Sequence, residues 1–127
     1  MLVTSAQRAF WQRQWAAEEE ACEARRRQLL EVAAAVAEGL RQRWPGLTVW
    51  LFGSVLGAGF RSDSDLDLAL QGLPLEDVSE AMALAESRAD ALLISREQDP
   101  VTLDLVRLEA LPLRWQERIQ RDGRALD

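Results

Sequence analysis

The first third of the chain predicts helix throughout, with a regular hydrophobic spacing in its second half and a solvated stretch of Ala, Glu and Arg over residues 16–28. No proline occurs between residues 4 and 43, and strong helix formers (Ala, Glu, Gln, Arg and Leu) dominate. Thr4 followed by Gln7 fits a capping box, which would begin the helix. Apolar residues recur three and four positions apart in its second half: Leu29, Val32, Ala33, Val36, Ala37 and Leu40. This spacing predicts a core-facing helix that ends at Trp44-Pro45-Gly46.

Three short segments have the composition of β-strands. Residues 47–52 form a β-branched and aromatic run, which predicts a buried strand that ends at Gly53-Ser54. Residues 65–70 place leucine at every second position, which predicts a strand with its leucines on the core face. Residues 101–106 predict a third strand, with a single Asp between two leucines.

Two more helices are predicted between and after these strands. Pro74 suits the first turn of a helix that runs to about Ser95, and Pro112 opens a final helix that ends before Gly123. The inner stripe of the first is predicted as Val78, Met82, Ala85, Ala89 and Leu92. In the last, Leu111, Trp115 and Ile119 are expected to point inward. We find no repeat and no linker, so a single domain is expected.

The composition excludes several kinds of chemistry. Cys22 is the only cysteine, so an internal disulfide and a cysteine zinc site are both excluded. The absence of histidine removes the Ser-His-Asp triad and imidazole metal sites. The net charge of −6 argues against a nucleic-acid binder. The chain has no apolar run of membrane-spanning length and no signal-like N-terminus, so we expect a cytoplasmic protein with no membrane partner.

Three aspartates carry the candidate chemistry. Asp65 and Asp67 are two apart on a predicted strand, so their side chains should point to one side of it. Asp104 should also point away from the core, because leucines flank it on its own strand. Neighbouring carboxylates repel unless a cation lies between them, and Mg²⁺ prefers oxygen ligands. The pattern therefore predicts a Mg²⁺ site.

Taken together, these motifs resemble the nucleotidyltransferase superfamily of DNA polymerase beta, and most closely its minimal nucleotidyltransferase (MNT) members. The family signature is Gly-Ser, ten residues and Asp-x-Asp, and here Gly53-Ser54 is followed after ten residues by Asp65-Leu66-Asp67. Asp104 matches the family's third aspartate. The resemblance implies an α+β fold with a small mixed sheet flanked by helices. It also divides the chain into an N-terminal helical extension (1–27) and a minimal nucleotidyltransferase domain (28–127).

The resemblance also implies roles for these residues. Asp65, Asp67 and Asp104 would hold two Mg²⁺ ions, and Asp104 would help to deprotonate the attacking hydroxyl. Gly53 and Ser54 would contact the triphosphate of the substrate ATP. Arg61 would either neutralise phosphate or remain a solvated loop residue.

One departure from the family pattern concerns the positions after Gly53-Ser54. Many members have Arg or Lys there, whereas this chain has Val55-Leu56. The loss of one positive contact would weaken nucleotide binding.

The leading functional hypothesis also follows from the resemblance. MNT antitoxins are paired with HEPN ribonuclease toxins, so the protein would transfer AMP from ATP to a hydroxyl, typically of Tyr, on a helical HEPN toxin. Phe10, Trp11 and Trp15 in the extension either fold back on the body or form a docking patch for such a partner. Two alternatives remain open: an antitoxin that acts by contact alone, and a transferase acting on a small alcohol such as an aminoglycoside. The last would need a pocket built by a homo-oligomer.

Overall fold

A computed structural model of the chain describes residues 3–127, and it begins with one long helix. Helix α1 (Ser5–Arg43) contains 39 residues without a break. The Thr4 hydroxyl accepts a hydrogen bond from the Gln7 N–H at 3.1 Å, and the Gln7 side chain accepts one from the Thr4 N–H at 2.9 Å. Both halves of the predicted capping box are therefore confirmed, as is the end of the helix at Trp44.

Four strands form one mixed sheet. Strands β1 (Thr48–Phe52), β2 (Leu66–Gln71), β3 (Leu103–Arg107) and β4 (Arg124–Leu126) lie in the order β3-β2-β1-β4. β1 is antiparallel to β2 and β4, whereas β2 and β3 are parallel. The three predicted strands are confirmed to within two residues at each end. β4 was not predicted, because three residues after a helix are too few to show an alternating pattern.

Helix α2 (Val78–Ser95) follows a short 3₁₀ turn and packs beside α1. Its buried residues are Ala81, Ala85, Ala89 and Leu93. Val78 and Leu92 of the predicted stripe are half-buried and pack against the hydrophobic core, so the prediction was wrong only at Met82. The fully buried positions are mostly alanine because the two helices approach closely: a Cβ on Gly39 of α1 would lie 2.6 Å from Nε of Arg88.

The main core lies between the two long helices and one face of the sheet. α1 contributes the buried stripe predicted for it, and the strands contribute Val49, Leu51, Leu66, Leu68 and Leu70. Leucine at alternate positions of β2 therefore points into this core, as predicted.

Helix α3 (Leu113–Asp122) covers part of the opposite face of the sheet. Ile119 is buried there with Ala69 and Leu108, while Trp50, Phe52 and Leu111 pack around them. The inward position predicted for Trp115 was wrong, because its side chain is 44% exposed. A helix of ten residues covers only a strip of the sheet, and Trp115 lies one turn before Ile119 at the edge of that strip.

The predicted α+β class with a small mixed sheet is confirmed. α1 runs without interruption from the predicted extension (1–27) into the body, and its first buried residue is Arg25. Residues 1 and 2 of that extension lie outside the described part of the chain. Within residues 3–127, no helix combines the length and the apolar character needed to cross a membrane.

Candidate functional site

Asp67 and Asp104 are neighbours across two parallel strands. They are directly paired in the register of β2 and β3, and Phe52 is paired with Asp67 from the other side. Paired residues on adjacent strands point to the same face, and leucines at the alternate positions point into the main core. Both carboxylates therefore lie on the face that α3 partly covers.

Asp65 lies immediately before β2, two residues from Asp67. Burial, the Asp104 carboxylate and the Asp65 carboxylate together raise the pKa of Asp67 from 3.8 to about 6. Both neighbours act on Asp67 at once, so the structure brings the three predicted aspartates together. Asp67 is half-buried, whereas Asp65 and Asp104 are exposed.

Gly53 allows the chain to turn tightly against Asp67. Its φ is 85°, which is a conformation that residues with a Cβ rarely adopt. A Cβ built on Gly53 would lie 2.2 Å from Oδ2 of Asp67. The glycine at the start of the predicted motif is therefore required both by its backbone angle and by the carboxylate beside it.

Hydrogen bonds from α1 support the segment after Gly53. Ser54 begins a 3₁₀ turn (Ser54–Leu56), and Val55 is buried in the main core. The Arg26 guanidinium donates hydrogen bonds to the carbonyls of Val55 and Gly57, the second at 3.1 Å. The same group lies 4.9 Å from the centre of the Phe60 ring. Sequence reasoning missed Arg26, because it lies 29 residues before Val55.

Arg61 does not reach this turn through any contact in the structure. Its side chain is 79% exposed and pairs with the equally exposed Asp63 at 3.5 Å. Its backbone N–H donates to the Ser64 hydroxyl at 2.9 Å. Of the two interpretations left open for Arg61, the solvated loop residue fits these contacts better.

A cavity of about 450 Å³ lies beside Gly53, between the 3₁₀ turn and the last two turns of α3. Its lining residues are Phe52, Gly53, Leu56, Gly57, Trp115, Arg118, Ile119, Asp122 and Gly123. Arg118 is the one residue of that lining with a positive charge, and its guanidinium lies 5.3 Å from the centre of the Trp115 ring. The three aspartates do not line this cavity. Gly53 connects the cavity with the aspartates, because it lines the first and contacts Asp67. Sequence reasoning missed Arg118, because on a helix with several arginines nothing distinguishes it.

The three aspartates fit a hard divalent cation by the chemistry of their donors. Carboxylate oxygens are the ligands that Mg²⁺ prefers, and burial together with the Asp104 and Asp65 carboxylates raises the pKa of Asp67 to about 6. Across residues 3–127, no three Asp, Glu, Cys or His side chains are already arranged as a metal-binding group. The residues therefore fit in type and in position on the sheet, without a completed coordination shell.

The predicted partner patch lies far from these residues on the N-terminal part of α1. Residues 5–21, called the arm below, are exposed throughout except at half-buried Ala9. Phe10 and Trp11 are in edge-to-face contact with ring centres 5.5 Å apart, and Trp11 and Trp15 line a groove of about 500 Å³. The interpretation that these rings fold back on the body was wrong, since 47–60% of each is exposed.

Neither a scan of the chain against protein-family models nor a search of curated proteins finds a match.

Proposed function

We propose that the chain is a Mg²⁺-dependent nucleotidyltransferase of the minimal, polymerase-beta-like type. The observation that carries the proposal is that Asp67 of β2, Asp104 of β3 and Asp65, immediately before β2, lie together next to a glycine turn. Asp67 and Asp104 are in register, and Asp65 is close enough to raise the pKa of Asp67. Perturbed carboxylates of this kind concentrate at functional sites.

Each residue has a role in the proposed reaction. Asp65, Asp67 and Asp104 would hold Mg²⁺, whose chemistry is to neutralise phosphate charge and to stabilise the attacking and leaving oxygens. An acceptor hydroxyl oxygen forms a bond to the α-phosphorus of ATP as the bond from that phosphorus to the bridging oxygen breaks. Pyrophosphate leaves, and the Asp104 carboxylate accepts the hydroxyl proton.

The triphosphate would lie against Gly53, which is exposed, and the half-buried Ser54 that follows it. Arg118, which lines the same cavity as Gly53, would supply a positive charge that Val55-Leu56 cannot. Trp115 beside it offers an aromatic face on which a purine could stack. Arg118 and Trp115 are thus proposed in addition to Gly53 and Ser54, while Arg61 is left out of the nucleotide-binding set because its exposed side chain pairs with Asp63.

The acceptor is proposed to be a hydroxyl on a partner protein of the HEPN toxin class, so that AMP transfer makes this chain an antitoxin. The exposed Trp11 and Trp15 groove on the arm offers a place for that partner to dock. The chain contains no Tyr of its own, which leaves that acceptor residue to the partner.

The test is to incubate the protein with Mg²⁺, ATP labelled at the α-phosphate and the product of the neighbouring gene. Labelled partner and released pyrophosphate are expected with the wild type, and neither with Asp65→Asn or Asp104→Asn. Arg118→Gln should weaken ATP binding about tenfold, because a charged contact to phosphate is lost. Arg114→Gln is the matched control, since Arg114 is exposed on the same helix and does not line the cavity. Absence of Mg²⁺-dependent ATP binding would contradict the proposal.

A second candidate function is an antitoxin that neutralises its partner by contact alone. The observation in its favour is that Val55, in the position where many family members carry a cation, is 1% exposed and part of the core. In that case Asp65→Asn would protect against the toxin as well as the wild type does. The two candidates therefore separate in one experiment that compares protection with label transfer.

A further inference from the structure

Strand β3 lies at an open edge of the sheet. It stands at one end of the strand order β3-β2-β1-β4, and within residues 3–127 no strand lies beyond it. Only Leu103 of its five residues is buried, whereas four of the six residues of β2 are buried. The outer side of an edge strand presents unpaired N–H and C=O groups, to which an extended segment can add as a further strand.

The pairing with β2 shows which backbone groups face the open side. The Leu66 N–H donates to the Thr102 carbonyl at 3.0 Å, so the backbone of Thr102 faces β2. Successive residues of a strand direct their backbone groups to alternate sides, so the backbone of Asp104 also faces β2. Leu103 and Leu105 therefore direct their N–H and C=O groups to the open edge.

The opposite edge of the sheet is less suited to receive a segment. β4 has three residues, and the Arg41 guanidinium donates to its Leu126 carbonyl. Short length and covered backbone groups are ways in which proteins protect a sheet edge. β3 instead pairs with β2 in an unbroken register from Leu103 to Arg107, so its outer side offers a longer row of backbone groups without a bulge.

The open edge lies directly beside the aspartate site. Asp104 belongs to β3, and its exposed side chain lies on the same sheet face as that of Asp67. In an antiparallel segment added to β3, the residue opposite Asp104 would form a non-hydrogen-bonded pair with it, because the Asp104 backbone faces β2. The Cα atoms of such a pair are about 4.5 Å apart, and the two side chains point to one face. A hydroxyl side chain at this position would therefore lie next to the aspartates.

The charge at the beginning of β3 indicates what kind of segment fits. Because β2 and β3 are parallel, the residues that precede them lie at the same end of the sheet. The exposed carboxylates there include Asp63, Asp65 and Asp99. A basic residue two positions after the hydroxyl residue would lie opposite Thr102 and face this negative charge.

We propose that the open edge of β3 binds an extended, basic segment of the partner protein as an additional antiparallel strand, with the acceptor Tyr opposite Asp104. The inference rests on the proposed function, because AMP transfer requires a hydroxyl beside the aspartates. The groove on the arm docks the partner, and the edge of β3 selects the segment that reacts.

A synthetic peptide tests the edge directly: acetyl-Val-Lys-Val-Tyr-Val-Lys-Val-amide, in which Tyr and Lys share one face of a strand. It is added at millimolar concentration to the full chain with Mg²⁺ and a non-hydrolysable ATP analogue. Amide hydrogen exchange at Leu103 and Leu105 is expected to slow about tenfold, because these N–H groups gain acceptors. Exchange at Asp104 and Val106, whose backbone faces β2, should change little. The matched control is the same peptide N-methylated at the two valines beside Tyr, which cannot donate to β3.

A pair of substitutions tests the same edge from the protein side. Leu105→Pro removes an outward N–H, which an edge strand tolerates, and Leu105→Ala shortens the same side chain but keeps the N–H. Peptide affinity should fall about tenfold in Leu105→Pro and stay within about twofold of the wild type in Leu105→Ala. Equal Mg²⁺-ATP affinity in the two variants would show that both are folded.

Three results would each overturn the inference: no slowing at Leu103 and Leu105, equal slowing by the N-methylated peptide, or equal peptide affinity of the two Leu105 variants. Transfer of labelled AMP to the peptide is measured in parallel with ATP labelled at the α-phosphate. Slowed exchange without transfer would support the edge site and count against the proposed function. Transfer without slowed exchange would support the proposed function and overturn the edge site.

Discussion

Gly53 lies between the backbone turn and the Asp67 carboxylate. Its role can be tested by adding a single methyl group, as in Gly53→Ala. Gly53→Ala should destabilise the protein by about 2 kcal/mol, because alanine is strained at a φ of 85° and its Cβ would meet Oδ2 of Asp67. Gly59→Ala is the matched control, since a Cβ there meets no atom within 4 Å. Urea unfolding curves measure both. Equal midpoints for the two variants would contradict this account of Gly53.

The raised pKa of Asp67 predicts how the stability of the protein depends on pH. The pKa of Asp67 is raised from 3.8 to about 6, so the folded state binds this proton more tightly than the unfolded state. The contribution of Asp67 to stability is therefore favourable at low pH and is lost as pH rises from about 4 to about 6.

Asp67→Asn removes this titration while keeping the shape of the side chain. Without Mg²⁺, the variant should exceed the wild type in unfolding free energy by about 1 kcal/mol at pH 8, after allowing for solvent screening of a half-exposed group. The two should converge below pH 4. Comparing wild type with variant at each pH cancels the titration of all other groups. A difference that is the same at both pH values would show that the pKa of Asp67 is not raised in the folded state.

Much of the arrangement of the aspartates can be predicted from the sequence. The positions of the arginines near the site cannot. A strand repeats every two residues, so Asp65 and Asp67 must share a side wherever that strand lies. Arg26 and Arg118 come near the glycine turn only through tertiary packing. Fifteen arginines are spread along the chain, and no local pattern separates these two from the rest.

At the scale of elements, α1 supports the turn that begins at Gly53. Arg26→Met should destabilise the protein by about 1–2 kcal/mol, because the carbonyls of Val55 and Gly57 lose their donor and Phe60 loses the guanidinium beside it. Arg27→Met on the exposed side of α1 should change stability by less than about 0.5 kcal/mol. Thermal unfolding compares the two. Faster amide exchange at Gly57 in the first variant alone would place the effect in the turn.

The elements also differ in how far local sequence defines them. α1 was predicted with both ends, because its capping box and its terminating Trp44-Pro45-Gly46 are local signals. β4 was missed, since its only partner is β1, far away in the chain. The inward face of α2 was predicted wrongly only at Met82, because close packing against α1 favours alanine over larger side chains at the fully buried positions.

At the scale of the whole molecule, the fold separates a compact body from a projecting arm. The body contains every buried residue of the described chain, while the arm contains exposed aromatic rings. The aspartates of the proposed function lie on the body, and the groove proposed for a partner protein lies on the arm.

The sequence by itself determined the local features: the long capped helix, the three longer strands, and the Gly53-Ser54 and Asp65-Leu66-Asp67 spacing. These depend on backbone propensity and on strand and helix periods, which neighbouring residues set. The tertiary structure was needed to show that Asp104 lies in register with Asp67, that Arg118 lines the same cavity as Gly53 and that the arm remains uncovered. Each of these depends on which distant segments pack together, and that choice is made by burial of the whole core rather than by any local pattern.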